Sequence, residues 1–203
     1  MPQFHLPVAE SNRLAALLNG TMLHCCRMAN QTDSTRTTIL MGKPVALAGP
    51  ELKAGDKAPD FEVIDGKFQT VNLAGTGEGV RILSVLPSLD TPVCDAQTKR
   101  FEEEAAKMSD VKIYTISMDL PFAQKRWCGN FGINHVGMLS DHRSGSFGEQ
   151  YGTLIPGMRI ESRAIFVIDG KNQLKHVEYV PEVSSHPNYE AALTAAKEAL
   201  AAK

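Results

Sequence analysis

The chain has 203 residues, 43% hydrophobic and 22% charged, with a formal net charge of -2; that suits one domain with a sizeable core and excludes a disordered or collagen-like polymer. Near-neutral charge without a basic run gives no electrostatic reason to expect nucleic acid or an anionic membrane as partner, and no apolar run approaches the roughly 18 residues that span a bilayer. Four cysteines, Cys25, Cys26, Cys94 and Cys128, are too sparse for a disulfide scaffold and favour a catalytic or redox role in a reducing compartment.

Residues 1–27 hold one weak apolar stretch, Leu14 to Leu18, without a full apolar core or an A-x-A cleavage site, so no secretory signal is expected. Met28 opens a more ordinary polar start, and residues 1–27 look like an over-long reading of the gene. Residues 1–37 are expected to form an extension, disordered or not expressed, ahead of a domain over 38–203. "TILMGKPVALAG" shows two β-type runs about Gly42-Lys43-Pro44, a small hairpin. A strand follows the Pro-Asp turn of "KAPDFEVID", carrying Phe61, Val63 and Ile64. "VRILSVLPS" is a continuous apolar run of strand length, suited to burial on both faces. Residues 92–108 read as helix, with Phe101, Ala105 and Met108 along one face.

"VKIYTISM" is a second buried strand, and "LPFAQKRWCG" a short helix begun at Pro121 and closed by Gly129. "HVGMLSD" gives a short strand, with a helix near Phe147 to Tyr151. "SRAIFVIDGKNQLKHVEYV" is a hairpin about Asp169-Gly170-Lys171-Asn172. A helix with Tyr189, Leu193, Ala196 and Leu200 on one face closes the chain, with Pro187 in or before its first turn. Alternating strands and helices ending in an antiparallel hairpin imply an α/β fold, a mixed central sheet with helices on both faces.

In "PSLDTPVC", Thr91 and Pro92 form a helix-start signature: threonine caps, and proline takes the first helical position. Cys94 then falls in the first turn, among unpaired N–H groups and the positive end of the helix dipole, surroundings that favour thiolate. A buried structural cysteine at a helix start explains the same pattern equally well. Cys128 follows after thirty-four residues, beside Gly129 at a helix end that can fray cheaply. This spacing excludes a C-x-x-C motif and fits zinc poorly, but it permits an attacking thiolate and a resolving thiol that meet after oxidation. Closing that loop restricts the unfolded chain by about 3.8 kcal/mol, enough to offset melting a turn at each cysteine.

These residues carry a resemblance. "PSLDTPVC" has the P-x-x-x-T-x-x-C pattern of peroxiredoxins, and "LPSLDTPVCDAQTKRF" with "DLPFAQKRWCG" is similar to the bacterial thiol peroxidases, atypical two-cysteine peroxiredoxins, from about Thr38 to Ala199. The resemblance implies a thioredoxin-like fold with an N-terminal hairpin, and a homodimer in the cytoplasm. It makes Cys94 the peroxidatic cysteine and Cys128 the resolving one, joined in an intramolecular redox disulfide. Pro87 and Thr91 shape the pocket, and Arg163 in "ESRAIFVID" matches the family arginine. It further implies reduction of hydrogen peroxide and organic hydroperoxides through a Cys94 sulfenic acid, thioredoxin as reductant, a part in antioxidant defence, and no cofactor or metal. Residues 1–27 have no counterpart in the family.

Thiolate formation alone does not make a peroxidase. A thiol whose pKa falls from about 8.5 to about 6 gains roughly 30-fold in thiolate at pH 7. It loses roughly 10-fold in nucleophilicity, so the net gain is only a few-fold. The larger share has to come from groups that orient the O–O bond and stabilise the departing oxygen. Arg163, the Thr91 hydroxyl and the N–H groups about Val93 and Cys94 are the candidates, on a loop stiffened by Pro87 and Pro92. Without the resemblance, Arg163 reads better as a surface arginine at a strand end.

The remaining candidates carry less. His24-Cys25-Cys26 resembles a metal cluster, but adjacent cysteines are awkward co-ligands. His135, His142, His176 and His186 are scattered singly, Trp127 reads as a packing residue, and Glu102 to Glu104 read as a solvated helix face. A general thiol–disulfide oxidoreductase is the alternative among enzymes, and lack of C-x-x-C weighs against it. A redox-sensing or holdase-like binding protein is the alternative outside enzymes; it predicts slow oxidation and no multiple turnover with thioredoxin.

Overall fold

The computed structural model describes residues 36–202. The chain opens on a hairpin, β1 (Thr37–Leu40) and β2 (Lys43–Ala46). Its two-residue turn is Met41-Gly42, both at positive φ (52° and 75°), which gives the twist that favours tight hairpins. The turn thus lies ahead of the expected position, and Lys43 and Pro44 belong to β2, on an edge where proline costs no ladder bond.

Two short strands follow, β3 (Val63–Asp65) and β4 (Thr70–Val71), and then β5 (Val80–Val85). Helix α1 (Pro92–Ala105) leads to β6 (Val111–Ser117), and α2 (Pro121–Phe131) to β7 (Gly137–Ser140). The remainder is α3 (Ser146–Tyr151), a two-residue pair β8 (Leu154–Ile155) and β9 (Ile160–Glu161), the hairpin β10 (Ala164–Ile168) and β11 (Leu174–Tyr179), and α4 (Tyr189–Ala201). Seven strands form one mixed sheet in the order β11-β10-β5-β6-β7-β3-β4, with β5, β6 and β7 parallel and the other pairs antiparallel. This is the expected thioredoxin-like layout with its N-terminal hairpin.

β5 is buried along its whole length because both faces of the sheet are covered. Val80 and Ile82 join Phe101 of α1 and Leu193 and Ala196 of α4, while Leu83 and Val85 join Phe147 and Tyr151 of α3. Tyr189 and Leu200 pack at the rim of the first cluster, as the predicted face of α4 requires. Pro187 lies ahead of the helix, whose cap is Asn188, accepting from the Ala191 N–H at 3.1 Å. No helix among the described residues is long and apolar enough to cross a membrane.

Two helix ends differ from expectation. α1 stops at Ala105, where the Lys107 and Met108 N–H groups both turn back to the Glu104 carbonyl, a tightened last turn that leaves Met108 packed on the core. α2 runs through Gly129 to Phe131 and is closed by Gly132, at φ 68°. Gly132 adopts the left-handed conformation of a glycine helix stop, and the Ile133 N–H returns to the Cys128 carbonyl at 3.1 Å.

A pair of carboxyl groups lies inside the domain. Asp141 accepts the N–H groups of Phe147 and Gly148 at 3.2 and 2.9 Å, and Glu161 accepts the Thr153 hydroxyl at 2.6 Å. Burial pushes Asp141 up to about 6. Burial, and then the neighbouring Asp141 charge, hold Glu161 well above the usual carboxylate range.

Candidate active site

The site forms where the β5–β6 ladder ends. The Leu86 N–H still donates to Ile116 O at 3.1 Å, and Pro87, which has no N–H, stops the pairing. A tight turn follows, with the Thr91 N–H donating to Ser88 O at 3.2 Å. Thr91 occupies the N-cap with extended backbone (φ -106°, ψ 146°) and Pro92 the first helical position. The expected hydroxyl cap is missing, since the Thr91 side chain makes no capping bond. Pro92 presets the helix by itself, and Thr91 instead lines an open cleft of about 360 Å³ with Leu89, Pro92, Lys99, Trp127 and Phe131.

Cys94 sits in the first turn of α1 and is fully buried. Arg163 is only 1% exposed, so it is no surface strand-end residue. It enters from the chain just before β10, and its Nη2 lies 3.2 Å from Cys94 Sγ. The other edges of the guanidinium are fixed: Nε donates to Val183 O at 2.8 Å and Nη1 to Gln97 Oε1. Gln97 in turn donates through Nε2 to Ser84 Oγ at 2.7 Å. A buried guanidinium held by two fixed acceptors turns its third edge to a sulfur at a helix N-terminus, so negative charge there is stabilised from two directions.

Cys128 lies half-buried on α2, and both thiols are free. It packs with Trp127 on the small apolar cluster that also contains Leu86, Leu89 and Cys94. Burial, and then the Glu102 carboxylate, push the Cys128 thiol up to about 11. Trp127 is 5.0 Å from the Phe131 ring and is the expected packing residue. α2 buries only Pro121, Gln124 and Trp127, which puts it at the low-stability end of the fold.

The acidic run on α1 is not a solvated face. Glu102 accepts the N–H groups of Asn134, His135 and Val136 at 2.9, 3.0 and 2.9 Å, and lies 2.7 Å from His135 Nδ1. Burial raises its pKa, but those N–H groups and the imidazole outweigh it and hold the group below its ordinary range. The side chains of Glu102 and Glu104 are 14% and 11% exposed, against 65% for Glu103. Glu102 thus serves the loop after α2, whose N–H groups lie ahead of β7 and have no strand to pair with. His24-Cys25-Cys26 and the proposed extension lie outside the described residues apart from positions 36 and 37.

This geometry can be set beside known proteins. The redoxin family model matches residues 53–193. The thiol peroxidase of Bacillus subtilis strain 168 is 54% identical over 156 residues, covering 77% of this chain and 93% of its own. That of Halalkalibacterium halodurans is 50% identical over 159 residues, covering 78% and 96%. The chain belongs to the thiol peroxidases of the redoxin family. Among solved structures, a peroxiredoxin-like protein from Aquifex aeolicus superposes with a TM-score of 0.75 at 43% identity, over 81% of this chain and 97% of that one.

In this thiol peroxidase chain, sequence reasoning missed Gln97 and Ser84. One signal for Gln97 was present: it falls three residues after Cys94 on the face leading to Phe101, so a polar side chain had to be buried there. Ser84 lies within an apolar run and gives no such signal.

Proposed function

We propose that the protein reduces hydrogen peroxide and organic hydroperoxides by a two-cysteine cycle. The Cys94 thiolate attacks the peroxide; an S–O bond forms, the O–O bond breaks, and the alkoxide or hydroxide leaves as alcohol or water after taking up a proton. The Cys128 thiol then condenses with the sulfenic acid, forming the disulfide and releasing water. A dithiol protein of the thioredoxin type takes the disulfide's place and returns both thiols.

The observation that carries this reading is the 3.2 Å approach of the Arg163 guanidinium to Cys94 Sγ inside a buried first helical turn. Arg163 can follow the charge from sulfur to departing oxygen, and the N–H groups of Val93 and Cys94 have no intrahelical acceptor. Thr91 supplies a hydroxyl at the cleft, and Pro87 stiffens the turn beneath it. Because Cys94 and Cys128 belong to different helices, the second step requires the start of α1 and the end of α2 to unwind. Unwinding also relieves the burial that keeps Cys128 protonated.

The chain is read as a cytoplasmic homodimer serving antioxidant defence, by likeness to the family. One equivalent of peroxide is expected to remove two free thiols from the reduced wild type and to yield an intramolecular disulfide. Cys94→Ser should abolish turnover with a thioredoxin system, and Cys128→Ser should stop at the sulfenic acid. Turnover retained in Cys94→Ser sinks the reading.

A further inference from the structure

Asp119 stands between β6 and α2, one residue before the α2 cap Leu120. An acid at a helix start ordinarily turns toward the free N–H groups of the first turn, yet α2 has no side-chain cap. The carboxylate is turned the other way. Oδ1 accepts the Ser88 hydroxyl at 2.8 Å, and Oδ2 accepts the Leu89 N–H at 2.8 Å and the Ser117 hydroxyl at 2.9 Å. Two of these three donors come from consecutive residues of the turn between Pro87 and Thr91.

Asp119 is itself held firmly. Its N–H donates to Ser117 Oγ at 3.2 Å, and its carbonyl accepts the Ser140 hydroxyl at 2.5 Å. It is thereby tied to the ends of β6 and β7, two parallel strands in the middle of the sheet. From the other side, Gln124 of α2 donates to Ser117 Oγ at 3.2 Å and to Leu139 O at 3.0 Å. Ser117 thus links the helix carrying Cys128 to the carboxylate that grips the turn before Cys94. The turn is short: Ser88 O accepts from Thr91 N–H, and Thr91 O accepts the Asp95 N–H at 2.9 Å. Orienting Ser88 and Leu89 therefore orients Thr91 and the first turn of α1.

We propose that Asp119 is a positioning residue for peroxide reduction: it fixes the Ser88–Thr91 turn on the end of the sheet and so sets Thr91 and Pro87 against Cys94. This rests on the two-cysteine reading above. The carboxylate touches no reacting atom and acts through the turn. A small misplacement at a reacting centre costs on the order of 100-fold in rate. The turn matters for orienting a peroxide but not for a simple alkylating agent, which needs only access to sulfur.

The test compares two rates at Cys94 in the full-length reduced protein, well below its melting temperature: oxidation by hydrogen peroxide and alkylation by iodoacetamide. In Asp119→Ala, oxidation is expected to fall by roughly tenfold to 100-fold, while alkylation is unchanged or faster because the turn is looser. Asp119→Asn keeps the volume and one acceptor oxygen, and is expected to fall between the two. If oxidation stays within twofold of wild type in Asp119→Ala, or if both rates fall in parallel, the proposal is wrong. Should the alanine variant not fold, the same two criteria apply to Asp119→Asn. Wild type that fails to lose Cys94 to peroxide overturns the underlying two-cysteine reading, an outcome distinct from unaltered oxidation in the variants.

Discussion

Replacing Arg163 with methionine keeps much of the buried volume and removes the cation 3.2 Å from Cys94 Sγ. Opposite unit charges about 4 Å apart attract by about 4 kcal/mol at an effective dielectric of about 20. Only the part of that attraction that grows as charge leaves sulfur for the departing oxygen accelerates the step. Losing one preorganised donor of this kind costs about 100- to 1000-fold, and we expect the second-order rate constant for Cys94 oxidation to fall by that much. Arg163→Lys keeps a charge but not the fork that Val183 O and Gln97 Oε1 hold in place, so it should recover a small fraction of the loss. The assay is quenched-flow mass spectrometry of the reduced protein under excess peroxide, far enough below the melting temperature that the newly unpaired acceptors do not unfold it. A methionine variant within threefold of wild type refutes the reasoning.

Contacts elsewhere in the domain carry further expectations. Glu102→Gln should lower the Cys128 titration from about 11, read from the pH dependence of alkylation in a Cys94→Ser background; no change would mean that burial alone sets it. Glu102 is held below its ordinary range, so its contribution to stability is present above the unfolded carboxylate pKa near 4.3 and is lost as pH falls. The deficit of the glutamine variant in urea unfolding should therefore shrink toward pH 3. Asp141 has the opposite sign: raised to about 6, it favours the fold most below about 3.9 and loses that contribution as pH climbs through about 6. Asp141→Asn should thus gain on wild type by up to about 3 kcal/mol between pH 4 and 7.5, and a flat difference would remove the pair as a pH-dependent element. Gly148→Ala would put a methyl carbon 2.7 Å from Glu161 Oε1 and 2.8 Å from Leu154 Cβ. It should cost about 1–3 kcal/mol, seen as a lower melting temperature with peroxide reactivity retained.

How far the fold was legible depends on element length. β5, β6, β10 and β11 carry long enough apolar or alternating runs to declare themselves, whereas β4, β8 and β9 are two residues each and are made by tertiary pairing. Gly129 drew the helix stop because glycine is the usual signal, but a glycine closes a helix by taking positive φ, and only the fold decided that Gly132 was the one to do so. At the site, Cys94 was placed in the first turn by Thr91 and Pro92 alone, since that signature is local. Arg163 misled for the converse reason. Its partners Gln97, Val183 and Cys94 lie 20 to 69 residues away, and nothing near Arg163 in the chain shows that its charge is paired. Glu102 misled likewise, because its N–H partners lie on a loop 32 to 34 residues downstream.

The antiparallel register of β10 on β5 pairs Ala164 with Val85. Arg163 and Leu86 are the next step outward on the two strands, so guanidinium and sulfur are measured from adjoining ends of one ladder. The site thereby inherits the strictness of sheet pairing, in which a slip of one residue turns every side chain to the opposite face. Length changes in the turn at Asp169–Asn172 fall beyond the far end of the ladder and leave that alignment untouched. A residue added between Val85 and Cys94, or between Arg163 and Ile168, would displace one half of the pair by about 3.3 Å or invert it. The chain is thus a ruler with its zero at the Ala164–Val85 pair, free to vary behind that mark and unforgiving in front of it.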